Sequence, residues 1–303
     1  MTQPATIWRN GELIPFADAT IHVLSHAANR GTEVFDVLRV VETASGPAAV
    51  GLRPHVARFD QSMELMGMEP DFDVAGLERA VAETVLANPG STTVKLLAVW
   101  AEVPEGTLPV SRRPSLLVAA VRNERATVGV GHPVKIRTSV MPKIPASILP
   151  PSLKVGGSYT AAIRQQLDAL EAGFDDIVFR TAEGRLAEGT AQSLLVVDSG
   201  RLLAPPLDSV LDGITRRLLL DLARHDGRTI VVGDVHWDQV IGASELLFTS
   251  TSAFVRPVAR LDDRELPAPG PVARWFGEQL EALVVGEHPL ATRWLTPLTA
   301  LVA

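Results

Sequence analysis

Lys154 stands in the run Ser152-Leu153-Lys154-Val155-Gly156-Gly157-Ser158-Tyr159, a primary amine just ahead of a glycine pair and of the only tyrosine in the chain. Glycines at 156 and 157 let the backbone turn tightly and come close to a ligand. A lysine amine can condense with an aldehyde to a Schiff base, and the imine exchanges readily with a substrate amine. An isolated lysine is ordinarily a solvated surface charge, so the reading depends on its company. Three downstream stretches supply it: Leu186-Ala187-Glu188-Gly189-Thr190, Leu211-Asp212-Gly213-Ile214-Thr215-Arg216 and Thr249-Ser250-Thr251-Ser252-Ala253. Each is of a kind suited to holding a phosphorylated aromatic cofactor.

Pyridoxal phosphate is such a group, and it needs a carboxylate at its pyridine nitrogen and a cradle for its phosphate. Glu188 supplies the first. For the second, the helix start at Gly213-Ile214-Thr215 offers free backbone N–H groups and the positive end of a dipole, with hydroxyls from Thr215 and Thr251 and a guanidinium from Arg58. Each feature taken singly has a plainer reading. Glu188 is otherwise a surface strand charge, Gly213-Ile214-Thr215 an ordinary helix start, and residues 249–252 a polar loop. Arg58 lies beside Phe59 at the edge of an apolar stripe, where its own context favours the surface over an inward reach to an anion. His22 and His26 have metal-ligand spacing for a helix, but their segment alternates like a strand and no carboxylate stands beside them.

The elements that must position these groups follow from periodicity. Asn10-Gly11 between short apolar runs predicts a hairpin over Thr6–Ile14. Ile21 and Val23 alternate with more polar neighbours, which predicts a strand over 20–25, a turn over 28–32 and a second strand over 34–41. Pro54 suits a first helical residue, with Val56, Phe59, Met63 and Met66 recurring behind it at helical spacing. A helix over 74–87 and strands over 94–100 and 115–121 complete a small α+β lobe. A polar stretch over 122–131 serves as an interdomain linker between residues 1–121 and a large cofactor-binding domain over 132–303. In that domain a strand over 134–140 leads into the proline-rich 141–151, which forbids regular structure. Ile163, Leu167 and Leu170 then mark a helix over 159–172, closed by Gly173. Strands over 176–179 and from 186, a helix carrying Ile214, Leu218 and Leu222, and further strands and a helix over 272–284 continue an α+β pattern.

At 303 residues the chain is long enough for two domains of ordinary size. It is 46% hydrophobic and 21% charged, which is globular. A net charge of −7 supplies no basic surplus for nucleic acid. Zero cysteines exclude disulfides, thiolate metal sites and a cysteine nucleophile. No leader pattern or bilayer-spanning apolar run is visible, so the expectation is a cytoplasmic protein with no membrane partner.

The sequence resembles the fold type IV pyridoxal phosphate enzymes, the family of branched-chain and D-amino-acid aminotransferases and aminodeoxychorismate lyase. The resemblance runs nearly end to end, through residues 21–26, Gly31-Thr32-Glu33-Val34-Phe35-Asp36, His55 to Arg58, Lys154 to Tyr159, Ala187-Glu188-Gly189, Gly213-Ile214-Thr215-Arg216 and 245–257. It implies an α+β fold of two α/β lobes of the D-amino-acid aminotransferase-like kind with the active site between them, bound pyridoxal 5'-phosphate, and a homodimer whose partner completes each pocket. Lys154 is implied as the Schiff-base lysine and proton shuttle, Tyr159 as a partner of the phenolic oxygen, Glu188 of the ring nitrogen, and Leu211 as a ring contact. Arg58, Gly213, Ile214, Thr215 and Thr251 are implied to hold the phosphate end.

The substrate side falls on Arg30, Phe35, Lys95, Ser252 and Ala253, and the departures fall there too. Branched-chain enzymes usually carry a tyrosine in place of Arg30, a Tyr-x-Arg strand in place of Thr93-Val94-Lys95 and a glycine in place of Ser250. The Arg-x-His pair of D-alanine-type enzymes is not visible after Val99, nor is the glycine-rich run of the lyase. Arg30 is a candidate for a substrate carboxylate, set against solvent exposure or pairing with Glu33 or Asp36. The expected activity is transfer of an amino group from an amino acid, branched-chain-like or D-configured, to a 2-oxo acid. An aminodeoxychorismate lyase-type elimination, an amine transaminase and a non-catalytic binding protein of the same fold are the alternatives. A serine hydrolase would need a Gly-x-Ser-x-Gly turn, which the chain lacks.

Overall fold

The computed structural model describes residues 2–124 and 127–302. The chain divides into two compact units, one of Met1–Ala126, Leu153–Ser158 and Val284–Ala303, the other of Thr127–Ser152 and Tyr159–Leu283.

The first unit opens with the hairpin of β1 (Thr6–Arg9) and β2 (Glu12–Pro15), turning at Asn10-Gly11 as expected. No strand forms over 20–25. Ile21, Val23 and Leu24 are exposed, so their alternation finds no sheet to bury it. The stretch read as a turn is a short helix instead, α1 (His26–Arg30). Ser25 caps it by accepting the Ala28 N–H, and Gly31 closes it at φ 62°, a left-handed conformation natural to glycine. Next come β3 (Val34–Thr43), β4 (Gly46–Val50), α2 (Leu52–Leu65), α3 (Val74–Ala87), β5 (Thr93–Val99) and β6 (Ser115–Val121). Pro54 is the third residue of α2, and Val56, Phe59 and Met63 form its buried stripe.

The second unit starts at β7 (Thr127–Val130), inside the stretch read as linker, because β7 pairs in parallel with a later strand; residues 125 and 126 of that stretch lie outside the described residues. It continues through β8 (Val134–Thr138), α4 (Thr160–Glu171), β9 (Asp176–Arg180), β10 (Leu186–Gly189), β11 (Ser193–Asp198), β12 (Arg201–Ala204), α5 (Ile214–His225), β13 (Ile230–Val232), α6 (Trp237–Gly242), β14 (Glu245–Thr249), β15 (Ala253–Leu261), β16 (Arg264–Glu265) and α7 (Pro271–Val284). The sheet order is β10-β9-β8-β15-β14-β11-β12-β13, with β7 and β16 also pairing β15. Val134, Ile136, Leu194, Val196, Phe248 and Val258 sit in its main core. The helix expected over 159–172 forms, but the stripe of Ile163, Leu167 and Leu170 is exposed; α4 buries Ala162 and Ala169 instead, since small side chains let it lie close to Ile177 and Phe179.

The chain ends in α8 (Ala291–Trp294) and β17 (Leu295–Pro297). β17 pairs antiparallel with β4 and gives the first unit a seven-stranded sheet, β17-β4-β3-β5-β6-β1-β2. The last residues therefore join the N-terminal unit, whereas the sequence reading placed them in the large domain. The pairing is backbone to backbone and leaves no mark in residue pattern. None of the helices among the described residues is long and apolar enough to cross a membrane.

Candidate active site

In the first unit Lys154 is fixed by its backbone. Its N–H donates to Ser62 Oγ at 3.1 Å, and its carbonyl accepts the Phe35 N–H at 3.1 Å. Val155 bridges to Val34, and the N–H groups of Gly156 and Gly157 donate to the carbonyls of Glu33 and Gly31 at 2.9 and 2.8 Å. This zipper explains the glycine pair. A Cβ on Gly156 would run into the Glu33 carboxylate, and one on Gly157 would meet the Gly31 carbonyl oxygen at 2.9 Å. The second contact is with backbone, which cannot swing aside. The Lys154 Nζ stands 4.3 Å from the centroid of the Phe35 ring, and Lys95 Nζ stands 5.4 Å from the same ring. Phe35, Lys95 and Lys154 are thus brought together, with cation–π attraction favouring the ammonium over the ring face.

Behind β3 lies a buried polar cluster. Arg58 is not on the surface: it donates from Nε to Asp36 Oδ2 and from Nη2 to Asp36 Oδ1, both at 2.8 Å. His55 Nδ1 lies 2.7 Å from the same Oδ1. Burial by itself would raise the Asp36 pKa, but the charges and hydrogen bonds of Arg58 and His55 outweigh it and hold the carboxyl well below its ordinary value. Burial lowers the pKa of His55, and the attraction of Asp36 offsets that only in part. The surface reading of Arg58 failed because Asp36 sits on β3, 22 residues away in sequence. Arg30 is exposed at the end of α1, and no ion pair joins it to Glu33 or Asp36 among the described residues.

In the second unit Glu188 is buried at the third position of β10. Its Oε1 pairs with Lys143 Nζ at 2.7 Å, and both oxygens lie 3.3 Å from the Leu211 N–H. Lys143 comes from the proline-rich run, held there by its N–H to the Arg180 carbonyl at 2.8 Å. From Leu211 the chain turns at once into α5: the Gly213 N–H donates to the Leu211 carbonyl at 2.8 Å. No side chain caps α5, although Ile214 and Thr215 are buried. A Cβ on Gly213 would lie 2.7 Å from Ser193 Oγ, so this helix start accepts no side chain. At the end of β14 the buried Thr249 Oγ1 has no hydrogen-bond partner among the described residues. Tyr159, Leu211 and Thr251 are half-buried, Ser252 is exposed with its Oγ 3.2 Å from Ser250 Oγ, and Ala253 opens β15.

A buried carboxylate one tight turn from an uncapped, buried helix start is a donor set that fits a phosphorylated pyridine. A backbone-clamped primary amine on an aromatic face fits its aldehyde. Asp36, His55 and Lys143 were given no role by sequence reasoning. His55 and Arg58 are three apart on one helix face, which is a usable signal for the first two; Lys143 had none. Among the described residues no group of histidine, aspartate and glutamate is placed to hold a metal ion, and His26 instead lies 3.0 Å from Thr32 Oγ1 and 3.1 Å from the Thr107 carbonyl.

Comparison with known proteins adds a family. The amino-transferase class IV family model matches residues 33–261. The branched-chain-amino-acid aminotransferase of Pseudomonas aeruginosa is 28% identical over 298 residues, 96% of each chain. Among solved structures, the branched-chain aminotransferase of Thermoproteus uzoniensis with norvaline is 26% identical, with a TM-score of 0.90 over 97% of this chain and 99% of that one. The branched-chain amino acid aminotransferase of Thermobaculum terrenum, in its PLP-bound holo-form, is 27% identical, with a TM-score of 0.88 over 98% and 99%.

Proposed function

The chain belongs to the class IV aminotransferases, of the pyridoxal phosphate-dependent fold type IV kind, and we propose that it passes the amino group of an amino acid to a 2-oxo acid with Lys154 as the catalytic residue. The observation that carries the assignment of Lys154 is its clamping: N–H, carbonyl and the three following residues are all bonded to 31–35 or α2, while the amine lies over Phe35. An amine so placed has its direction set before substrate arrives, which lowers the entropic part of the barrier.

Pyridoxal 5'-phosphate, when bound, supplies the aldehyde that carries the amino group and a ring that accepts electrons. Glu188 holds negative charge for the ring nitrogen, and Lys143 and the Leu211 N–H keep that carboxylate from turning away. The uncapped N–H groups of Ile214 and Thr215, with the Thr215 and Thr251 hydroxyls, bind the phosphate, and Gly213 leaves room for it. Arg58 adds a guanidinium whose orientation Asp36 fixes. Tyr159 serves the phenolic oxygen and Leu211 the ring. With the cofactor bound, Lys154 Nζ would be the group that accepts the proton from the amino-bearing carbon and holds it for return.

Relatives named for branched-chain amino acids support substrates of that general kind, amino acid and 2-oxo acid. Arg30, Thr93, Lys95 and Ser250 depart from the branched-chain pattern, which supports a different side-chain preference. Arg30, Phe35, Lys95, Ser252 and Ala253 form the proposed substrate-facing set. A cytoplasmic homodimer completes the proposal, and sedimentation velocity at two concentrations tests the dimer. The test of function is to give the holoenzyme a panel of L- and D-amino acids and amines without an acceptor and follow conversion of the cofactor to its aminated form by absorbance. Conversion by amino acids of one configuration supports the proposal; conversion by none of them overturns it. Keto-acid release that exceeds the enzyme present, with no acceptor added, points to elimination instead.

A further inference from the structure

Glu33 stands one residue ahead of β3, and the bridge between Val34 and Val155 fixes what it faces. In that antiparallel contact the Phe35 N–H donates to the Lys154 carbonyl and the Gly156 N–H donates to the Glu33 carbonyl. Phe35 therefore lies opposite Lys154, and Glu33 lies opposite Gly156. Side chains alternate along an extended chain, which puts Glu33, Phe35 and Lys154 on one face and Val34 and Val155 on the other. Two contacts agree with this register. The Lys154 Nζ stands 4.3 Å from the Phe35 ring centroid, and the Glu33 carboxylate fills the place that a side chain at 156 would take. The glycine at 156 thus lets a carboxylate lie along the lysine segment, where a larger residue would displace it.

The Glu33 side chain is half-buried and makes no hydrogen bond or ion pair among the described residues. Register orders the other charges of this unit around it. Lys95 lies opposite Val37 on β5, and Arg39 is six residues further along the chain. Asp36 points to the other face, where Arg58 and His55 of α2 hold it. Arg30 is exposed at the end of α1. Lys154 is one diagonal step from Glu33, about 7–8 Å between Cα atoms, which long side chains span. It is the cation nearest to Glu33 in register, and the Phe35 ring borders both groups.

We propose that Glu33 is a positioning residue that acts through charge: its carboxylate stabilises Lys154 whenever that nitrogen is protonated, and so sets the pH at which Lys154 accepts and returns a proton. The proposal rests on the reading of Lys154 as the catalytic residue and deepens it. Glu33 exchanges no proton itself. An amine set against an aromatic ring and shielded from water is pushed toward its neutral form, and a carboxylate along the same segment offsets that push. The balance brings the lysine toward the range in which one group can both take a proton and give it back.

The experiment is an absorbance titration of the bound cofactor in the holoenzyme, which reports protonation of the nitrogen that joins it to Lys154. Glu33→Gln keeps the shape and removes the charge. Its midpoint is expected about half a unit to one unit below that of wild type, roughly a threefold to tenfold fall in proton affinity, because the lost anion favoured the cationic form. Glu33→Asp keeps the charge and is expected to stay within about 0.3 unit of wild type. An unmoved midpoint in Glu33→Gln overturns the proposal. So does a shift in Glu33→Asp as large as that in Glu33→Gln, which would trace the effect to packing. Borohydride labelling of the same samples separates this proposal from the reading beneath it. Label on Lys154 with an unmoved midpoint sinks the role of Glu33 alone, whereas wild type that takes no label on Lys154 sinks the Lys154 assignment and the role of Glu33 with it.

Discussion

Asp36 and Arg58 meet through two parallel hydrogen bonds of 2.8 Å inside the first unit, with His55 2.7 Å from the same carboxylate. A fork-to-fork pair of this kind fixes the plane of the guanidinium as well as its position. Three polar side chains on two elements thus act as one rigid object, and the proposed phosphate contact inherits that rigidity.

Asp36→Asn keeps the shape and removes the charge, leaving Arg58 buried without its counter-ion. We expect a loss of about 3–5 kcal/mol at neutral pH, measured by denaturant unfolding. The Asp36 carboxyl has a lowered pKa in the folded protein, so its contribution is complete above the unfolded value of about 3.9 and is lost as pH falls below that through the folded value. The gap between wild type and variant should therefore narrow between pH 5 and pH 3. A gap equal at both pH values would remove the ion pair from the account.

Borohydride treatment of the holoenzyme should fix the cofactor to one lysine, and peptide mapping should find it on Lys154. Lys154→Ala should abolish both the label and turnover. Label on Lys95 or Lys143 would sink the assignment, which makes these two lysines the natural controls.

Glu188→Gln should retain bound cofactor while slowing turnover by about tenfold or more, since a neutral partner no longer favours the protonated ring nitrogen. Lys143→Ala releases Glu188 from its 2.7 Å partner and should act in the same direction but more weakly, with Lys143→Arg restoring the rate. Absorbance spectra of the bound cofactor against pH give a readout independent of rate. Spectra and rates unchanged in both Glu188→Gln and Lys143→Ala would exclude the pair.

Arg30→Ala tests the exposed guanidinium at the end of α1. If Arg30 grips the substrate carboxylate, the best amino acid loses about tenfold or more in kcat/KM and an amine without the carboxylate is spared. Equal losses for both donors, or no loss for either, would discard the role.

Gly157→Ala places a methyl group against the Gly31 carbonyl, a backbone neighbour. Thermal unfolding should register a loss of roughly 1–3 kcal/mol, with weaker cofactor retention as Lys154 shifts. Full stability together with full cofactor loading would show that the zipper tolerates what the geometry forbids.

Short-range pattern was enough for the hairpin at Asn10-Gly11, for α3 from 74 to 87 and for β6 from 115 to 121, because turn chemistry, capping and periodicity are local properties. Residue type and order likewise made Lys154, Glu188 and the start of α5 the candidates proposed for the site, since condensation with an aldehyde and anion binding demand a lysine, a carboxylate and a free helix end wherever they occur. Tertiary structure decided the rest. Ile21 and Val23 alternate like a strand but find no partner strand among the described residues, so the segment stays irregular and exposed ahead of α1. Ile163, Leu167 and Leu170 repeat at helical spacing yet stay exposed, because a period says which residues share a face and not which face is covered. The final residues join the N-terminal sheet through β17 by backbone pairing. Arg58 is buried by an aspartate 22 residues away, Glu188 is held by a lysine from a loop, and the buried Nε and Nη1 of Arg39 find no hydrogen-bond partner among the described residues. Charge partners are set by distance in space, and a chain that folds back on itself makes that distance independent of separation in sequence.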